Sequence, residues 1–358
     1  MSFGPQQPSL QKFCIGIDAM GSDYGPEEVV AGIHRALQAV APRIQKITLL
    51  GDETIVRPLV DRYGLSTSPL IGLQHTSEVI HMDENPLQAL KHKKEASMFQ
   101  GIEGIQDGRW NAFLSCGNTG ALMASSTLKL RTIEGINRPS LASIIPTKTN
   151  RFILIDVGAN PTHEAKVLVH NAILGSHFAQ AVLQLPHPRI GLLTIGTEEG
   201  KGDMPIQTAH TILKQCKNLS YTGLIEGFDV FQGTVDVVVC DGFVGNIILK
   251  TCESLFLQIQ SFLKEKIQET CIRKLGAFFC QGAFQEMKKQ LAPEKFSGAP
   301  LLGLNGWVFK AHGSSKAAAI AGAIQMMLAC IEVYPIQTVK TDIHQANALF
   351  EKLSSSSE

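Results

Sequence analysis

Short apolar runs alternate along this chain with segments that carry the 3.6-residue period of amphipathic helices. The first run, residues 13–17, is typical of a buried strand, and Pro26 followed by two glutamates is a typical helix start. Further runs predict strands at 47–50, 70–73, 78–81, 112–115, 152–156, 190–196, 222–226, 235–240 and 304–310. Strands that alternate with helices favour an α/β protein with a mostly parallel sheet.

Helical patterns fill most of the segments between these runs. They predict helices near 53–63, 85–108, 121–130, 163–177, 317–331 and 342–353. Residues 131–146 carry neither pattern and are predicted to form a loop. The apolar stretch 317–331 is shorter than the ~20 residues that a membrane-spanning helix needs, so we expect a buried helix there.

Residues 247–291 differ from the rest because apolar stripes at helical spacing are interleaved with lysines and arginines. This pattern predicts a long amphipathic helical hairpin that protrudes from the sheet. Its role stays open between a dimer or core contact, the docking of an acidic partner and contact with a membrane surface. We interpret 1–358 as a single catalytic domain, with this hairpin as an excursion and 1–11 and 354–358 as flexible tails.

Composition narrows the class of protein. The 32 basic and 32 acidic side chains cancel, so nothing in the net charge points to nucleic acid. The eight cysteines show no Cys-x-x-Cys pair and fall mostly in apolar stretches, which favours free thiols in a reducing, cytoplasmic compartment. His163, His170 and His177 lie about 10 Å apart along one helix face, too far to share an ion. We expect no metal and no cofactor.

The candidate chemistry lies in the loops that follow the strands, beginning with residues 18–26. Because parallel strands bring their carboxyl ends to one edge of a sheet, we expect these loops to meet there. Backbone amides at Gly21, Gly117 and Gly120 suit a phosphate group, and Lys201 and His312 would add positive charge.

Two carboxylates, Asp18 and Asp241, are candidates to orient or deprotonate a nucleophile, whereas Asp156 and Glu198 are interpreted as structural caps. Cys116 has no identifiable histidine partner and is a weak candidate for a nucleophile. No dinucleotide fingerprint, P-loop or Gly-x-Ser-x-Gly elbow is present.

These loops in combination resemble the PlsX family of bacterial phosphate acyltransferases. The resemblance rests on residues 18–26, 115–121, 156–160, 195–203, 241–246 and 302–315, in this order and over nearly the whole chain. It implies a three-layer α/β/α sandwich like that of isocitrate dehydrogenase and phosphotransacetylase. It also implies a homodimer that transfers a fatty acyl group from acyl carrier protein to inorganic phosphate, for phospholipid synthesis.

By resemblance, eight residues match active-site positions of the family: Asp18, Gly21, Asn118, Thr119, Lys201, Asp241, Asn246 and His312. We predict that Asn118, Lys201, Asp241 and His312 are catalytic. We predict that the others, together with Gly117 and Gly120, bind substrate or phosphate. The chain departs from the family pattern at Ser22, Cys116, Asp203, Met204 and Lys316.

The expected reaction is direct attack of bound phosphate on the thioester. Arg131, Arg138 or the hairpin lysines would receive the acidic carrier protein. A downstream glycerol-3-phosphate acyltransferase is a further expected partner, and peripheral contact at the inner face of the membrane stays open. Two alternatives also stay open: an NAD-dependent dehydrogenase of the related fold, and a non-catalytic regulator that only binds a phospho-ligand.

Overall fold

The computed structural model describes residues 11–148, 150–162, 164–291 and 298–355, with the side chains of 288–291 excepted. Its strands are β1 (Phe13–Asp18), β2 (Ile44–Gly51), β3 (Ile71–His75), β4 (Ala112–Ser115), β5 (Ser140–Pro146), β6 (Arg151–Ile155), β7 (Arg189–Leu193), β8 (Ser220–Ile225), β9 (Val237–Val239), β10 (Ala299–Leu302) and β11 (Trp307–Lys310).

Its helices are α1 (Pro26–Val40), α2 (Glu53–Arg62), α3 (Pro86–His92), α4 (Ser97–Gln106), α5 (Thr119–Leu130), α6 (Ala165–Leu183), α7 (Met204–Gln215), α8 (Gly242–Gln268), α9 (Cys271–Phe279), α10 (Gln281–Leu291), α11 (Ala317–Val333) and α12 (Ile336–Ser355). Short 3₁₀ turns lie at Ala41–Arg43 and Asp229–Phe231.

The described chain divides into two compact units. Unit 1 holds residues 11–133 and 298–334, and unit 2 holds 134–291 and 335–355 apart from the undescribed positions. The interpretation of 1–358 as a single catalytic domain stays a prediction.

The sheet of unit 1 has the strand order β3-β2-β1-β4-β11-β10. All neighbours in it pair in parallel except β10, which runs antiparallel to β11. Every residue of β4 is buried, so helices cover both faces of this sheet. Close packing shows on α4, where a side chain at Gly101 would collide with the Phe113 ring.

The sheet of unit 2 has the order β5-β6-β9-β7-β8 and is parallel apart from β5, which runs antiparallel to β6. β9 is buried at each of its positions, as is β6 from Phe152 to Ile155, so this sheet too is covered on both faces. The predicted α/β class with a mostly parallel sheet is therefore confirmed.

Local sequence signals explain where several helices begin. Asp52 caps α2 by accepting a hydrogen bond of 2.9 Å from the Thr54 amide, and Asn85 caps α3 in the same way. Pro26 occupies the first turn of α1, with acidic residues beside it as the helix dipole favours.

The two described histidines of α6 lie on one helix face, as predicted. The His170 ring contacts the Asn347 side chain at 2.9 Å, and His177 contacts Asp342 at 2.8 Å, both on α12. His163 lies outside the described residues. The pair ties α6 to the last helix.

Residues 247–291 are helical, as the apolar stripes indicated, and lie in α8, α9 and α10. The breaks between these helices lie at 269–270 and 280. Among the described residues of α8, only Gly242 and Gly245 are buried. The large apolar side chains of α8 and α9 that are mostly exposed are Phe243, Leu255, Leu257, Ile259, Phe262, Ile272, Leu275, Phe278 and Phe279.

Several elements differ from the sequence predictions. The segment 131–146, predicted as a loop, contains β5, which pairs with β6 in antiparallel orientation. The sequence of β5 shows no local period that would have predicted a strand. The helix predicted over 85–108 is interrupted at 93–96. The strand predicted at 78–81 is wrong, because only Glu78 pairs there, in an isolated bridge with Ala96.

The helix predicted at 342–353 begins earlier, at Ile336, and reaches Ser355. Residues 1–10 and 356–358 lie outside the described part, so the flexible tails stay a prediction. Among the described helices, none taken singly has the length and hydropathy to cross a membrane; α11 and α12 reach them only when taken together across the break between them.

Candidate active site

Three of the predicted loops meet in unit 1. They follow β1, β4 and β11, which are neighbours in the sheet and run in parallel. Their carboxyl ends therefore reach the same edge. The backbone links them further, since the Ala311 amide donates to the Ser115 carbonyl at 3.0 Å and the Asp23 amide donates to the Gly313 carbonyl at 2.9 Å.

Asp18 ends β1 with its carboxylate turned into this corner and only 2% exposed. The Ser97 and Ser115 hydroxyls each donate to it at 2.7 Å, and the Met20 amide donates at 3.0 Å. Ser115 also accepts a hydrogen bond of 3.0 Å from the Gly117 amide. Through Ser115, the Asp18 carboxylate thus holds the loop after β4 in place.

Gly21 lies against this same loop. A Cβ at position 21 would come within 2.5 Å of the Gly117 nitrogen and 2.7 Å of the Asp18 carboxylate. Both neighbours are held by the hydrogen bonds just described, so neither can give way cheaply. The contact explains why position 21, where the loop after β1 meets the loop after β4, carries no side chain.

Asn118 caps α5, and its side chain is fully engaged. Its carbonyl oxygen accepts from the Ala121 amide at 3.0 Å, while its amide group donates to the carbonyls of Met82 and Glu84 at 2.9 and 3.1 Å. Thr119 and Gly120 follow in the first turn of α5, where backbone N–H groups have no partner within the helix. Such a turn attracts anions.

His312 is exposed near the start of the loop that follows β11. Its Nδ1 accepts a hydrogen bond of 3.1 Å from the Ser314 amide. A ring nitrogen that accepts from an amide carries no proton, so the neutral ring is protonated at Nε2. The loop therefore sets the tautomer of the histidine.

Cys116 lies in the centre of the corner but is 2% exposed. Burial raises the pKa of its thiol to about 12; the Lys310 charge lowers that pKa, and the charges of Asp18 and Asp23 raise it. A thiol of this kind is protonated at neutral pH and is a poor nucleophile. The geometry agrees with the weak case for Cys116 in the sequence.

The sequence did not indicate the roles of Lys310 and Ser97, or that the Ser115 hydroxyl links Asp18 to the Gly117 amide. Lys310 is buried, and its ammonium donates to the Cys116 carbonyl at 3.0 Å and to the Ala311 carbonyl. The available signal was a lysine at the end of an otherwise apolar strand, two residues before His312. No signal near Ser97 pointed to Asp18, because 79 residues separate them.

Three further loops lie together in unit 2, after the neighbouring strands β6, β9 and β7. Asp156 accepts hydrogen bonds from the amides of Gly158, Ala159 and Asn160 at 2.8 to 3.0 Å. Burial raises the pKa of this carboxyl above its usual value, although these bonds lower it. Asp156 orders its own turn, in line with its interpretation as a cap.

Asp241 is the N-cap of α8 and accepts a hydrogen bond of 2.8 Å from the Val244 amide. The Gly242 amide donates to the Asn160 carbonyl at 2.7 Å, which joins the loop after β9 to that after β6. Asn246 lies one turn into α8, and its side chain would be 3.7 Å from a Cβ at Gly158. Asp241 and Asn246 therefore share one corner.

Lys201 is exposed in the loop that follows β7, with its Nζ 3.9 Å from the Glu198 carboxylate. The Gln207 side chain on α7 donates to the carbonyls of Gly200 and Gly202 at 2.8 and 3.0 Å and so holds this loop. Asp203, a departure from the family pattern, caps α7 through the Ile206 amide at 3.3 Å. Its carboxylate thus has a structural task.

Neither corner has the donor set of a metal site. Within the described ranges, no three or more His, Cys, Asp or Glu side chains are grouped so that they could hold an ion. The feature of unit 1 that suits an anion is instead the set of backbone amides in the first turn of α5.

The sequence is similar to one family model and to curated phosphate acyltransferases. The sequence model of the fatty acid synthesis protein family matches residues 13–337. The phosphate acyltransferase of Thermoanaerobacter pseudethanolicus is 40% identical over 329 residues, which cover 92% of this chain and 97% of that protein. The phosphate acyltransferase of Caldanaerobacter subterraneus subsp. tengcongensis is 42% identical over 311 residues, or 87% and 91% of the two chains.

Among solved structures, a phosphotransacetylase from Streptococcus pyogenes is similar with a TM-score of 0.62 at 17% identity, over 90% of this chain and 95% of that one. At this level of identity the likeness concerns the fold. It confirms the expectation of a phosphotransacetylase-like architecture.

Proposed function

The chain belongs to the fatty acid synthesis protein family, and from this membership we propose that it is a phosphate acyltransferase. It transfers a fatty acyl group from acyl carrier protein to inorganic phosphate, and the acyl phosphate serves phospholipid synthesis.

The observation that carries this proposal is the meeting of three loops in unit 1 around the start of α5. The amides of Thr119 and Gly120 lie in the first helical turn, and the loop that presents them is held by Asp18 and Lys310. Fixed amides at a helix start bind a dianion with little reorganisation.

In the proposed reaction, a phosphate oxygen attacks the carbonyl carbon of the thioester. The new C–O bond gives the acyl phosphate, the C–S bond breaks, and the carrier leaves as a thiolate that takes a proton from solvent. The buried, protonated state of Cys116 supports direct attack rather than an acyl-enzyme. Bringing phosphate and thioester together supplies much of the rate.

The unit 1 residues divide into two roles in this proposal. His312 contributes its Nε2–H to phosphate or to the oxyanion, because Ser314 fixes the other ring nitrogen as an acceptor. Asp18 and Asn118 act by holding the turn, since hydrogen bonds within the protein engage both side chains. Gly21 and Gly117 support the same turn, because a Cβ at either position would come within 3 Å of the protein around it.

The parts of Lys201, Asp241 and Asn246 in the reaction stay predictions. Lys201 is proposed to bind phosphate through its charge, which its half-exposed side chain leaves accessible to a ligand. Asp241 and Asn246 are proposed to orient the substrate from the start of α8.

For the partners, we propose a homodimer that receives acidic acyl carrier protein and acts in the cytoplasm, with peripheral contact at the inner face of the membrane. The support for association is α8, a 27-residue helix whose described apolar side chains are largely exposed. Exposed basic side chains on α8 and α9, such as Lys264 and Lys274, complement an acidic carrier. A glycerol-3-phosphate acyltransferase would consume the product.

The test is incubation of the purified chain with acyl carrier protein thioester and inorganic phosphate. We expect carrier thiol to appear together with an acyl group that hydroxylamine traps, and neither to appear when phosphate is left out. Absence of thiol release in the complete mixture contradicts the proposal and favours a binding regulator. Reduction of NAD with a hydroxy acid substrate would favour the dehydrogenase alternative instead.

A further inference from the structure

One peptide group in unit 1, that between Cys116 and Gly117, lies between two buried charges. On the carbonyl side, the Lys310 ammonium donates to the Cys116 oxygen at 3.0 Å. Lys310 comes from β11 and is only 9% exposed, although lysine rarely lies so deep unless its charge is compensated. The same ammonium donates to the Ala311 carbonyl, so it joins the ends of two neighbouring strands.

On the other side of this peptide is the Asp18 carboxylate. The Gly117 amide donates to the Ser115 hydroxyl at 3.0 Å, and that hydroxyl donates to Asp18 at 2.7 Å. The negative end of the peptide dipole thus faces the cation and the positive end faces the anion. Both charge–dipole interactions are favourable, and a flip of the peptide would make both unfavourable.

The orientation of this peptide matters because the next residues begin α5. Asn118 caps the helix, and Thr119 and Gly120 present their amides in its first turn. A change in the Cys116–Gly117 plane would redirect the chain just before these amides.

We propose that Lys310 is a positioning residue for phosphate: it holds the Cys116–Gly117 peptide against Asp18 so that the start of α5 binds the anion. This proposal rests on the proposed function, because it assumes that phosphate is a substrate. Lys310 touches the loop and not the reacting atoms.

The test is inorganic phosphate binding to the full chain, measured by isothermal titration calorimetry with the wild type and Lys310→Met. Methionine keeps the length of the side chain and removes its charge and donors. We expect the Kd for phosphate to rise about tenfold or more, the usual effect of losing a charge-assisted hydrogen bond. The control is Lys46→Met, on strand β2 of the same sheet, where Lys46 is exposed near the start of the strand.

Kinetics separate positioning from general damage. In Lys310→Met the KM for phosphate should rise about as much as the Kd, while the KM for the acyl donor stays within about twofold. A change in both KM values, or an unchanged Kd for phosphate, overturns the proposal, as does a wild type that binds no phosphate. If the wild type binds phosphate but shows no turnover, only the proposed function is contradicted. The Kd values of wild type and Lys310→Met for phosphate then still test the role of Lys310.

Removal of one buried charge can prevent folding. Circular dichroism checks this, and the double variant Asp18→Asn/Lys310→Met, which removes both charges, takes the place of an unfolded single variant. We expect it to fold and still to bind phosphate at least about tenfold more weakly than wild type. Wild-type affinity in the double variant overturns the proposal.

Discussion

The Ser115 hydroxyl donates a hydrogen bond of 2.7 Å to the Asp18 carboxylate, and this contact joins the ends of two neighbouring strands. Through it, a residue that the sequence marks as candidate chemistry becomes the internal support of a loop. The distinction between supporting and reacting side chains can be tested at several positions.

Asp18→Ala should lower stability as well as activity. The change leaves the Ser97 and Ser115 hydroxyls and the Met20 amide without their acceptor in a buried corner. We expect the free energy of unfolding to fall by about 3 kcal/mol, since bonds to a charged group are at stake. Urea unfolding followed by circular dichroism measures this. Ser97→Ala, which removes a single donor, should cost less than half as much; an unchanged midpoint for Asp18→Ala would contradict the supporting role.

Gly21→Ala should disturb the contact between the loops after β1 and β4 directly. The added methyl group would lie 2.5 Å from the Gly117 nitrogen, so the backbone of one loop must shift. We expect a destabilisation of about 1–3 kcal/mol and a loss of acyl phosphate formation. Gly276→Ala on α9 is the control, because a Cβ there meets nothing within 4 Å and alanine favours a helix. Equal activity of both variants would show that the close approach is dispensable.

Lys201→Ala should reduce turnover without changing stability. The side chain is about half exposed and its ion contact with Glu198 is long, so little folding energy depends on it. If Lys201 binds the phosphate, we expect acyl phosphate formation to fall by about 100-fold or more. Lys214→Ala removes a lysine that pairs with Glu199 in the same loop and should keep activity. Undiminished turnover of Lys201→Ala removes it from the mechanism.

Cys116→Ala should keep turnover, because the thiol is buried and protonated and forms no covalent intermediate. Alkylation of the native protein with iodoacetamide, read by mass spectrometry, should label the exposed Cys271 and Cys280 but spare Cys116. Trapping of an acyl group on Cys116 after mixing with thioester would refute direct attack by phosphate.

Stability should fall as the pH is lowered through the range in which His170 titrates. Burial lowers the pKa of this ring from its ordinary 6.5 to about 4, so the unfolded chain binds a proton first. The neutral-ring contribution, about 3 kcal/mol, is fully present above pH 6.5 and is lost progressively down to about pH 4. Urea unfolding at several pH values measures the slope. His170→Gln cannot titrate there and should show a shallower one; equal slopes would contradict this origin.

Much of the fold was predictable because its signals are local. The run at 112–115 and the small-residue helix after it became β4 and α5 as predicted, since burial and helical period are written in consecutive residues. The strand β5 was missed because its identity depends on pairing with β6, and the same holds for β10, which pairs with β11. Their partners follow within a few residues, but serine, alanine and proline interrupt the apolar runs of β5 and β10, so the local pattern of both strands is weak.

The sequence by itself determined the α/β class and the positions of the glycine loops, because periodicity and turn chemistry act over a few residues. Only the tertiary structure decided what each side chain does there. It turned Asp18 and Asn118 inward as supports and set Lys310 against the peptide after Cys116. The physical reason is that a buried charge or amide must find partners, and those partners come from strands nearly 100 and 200 residues away.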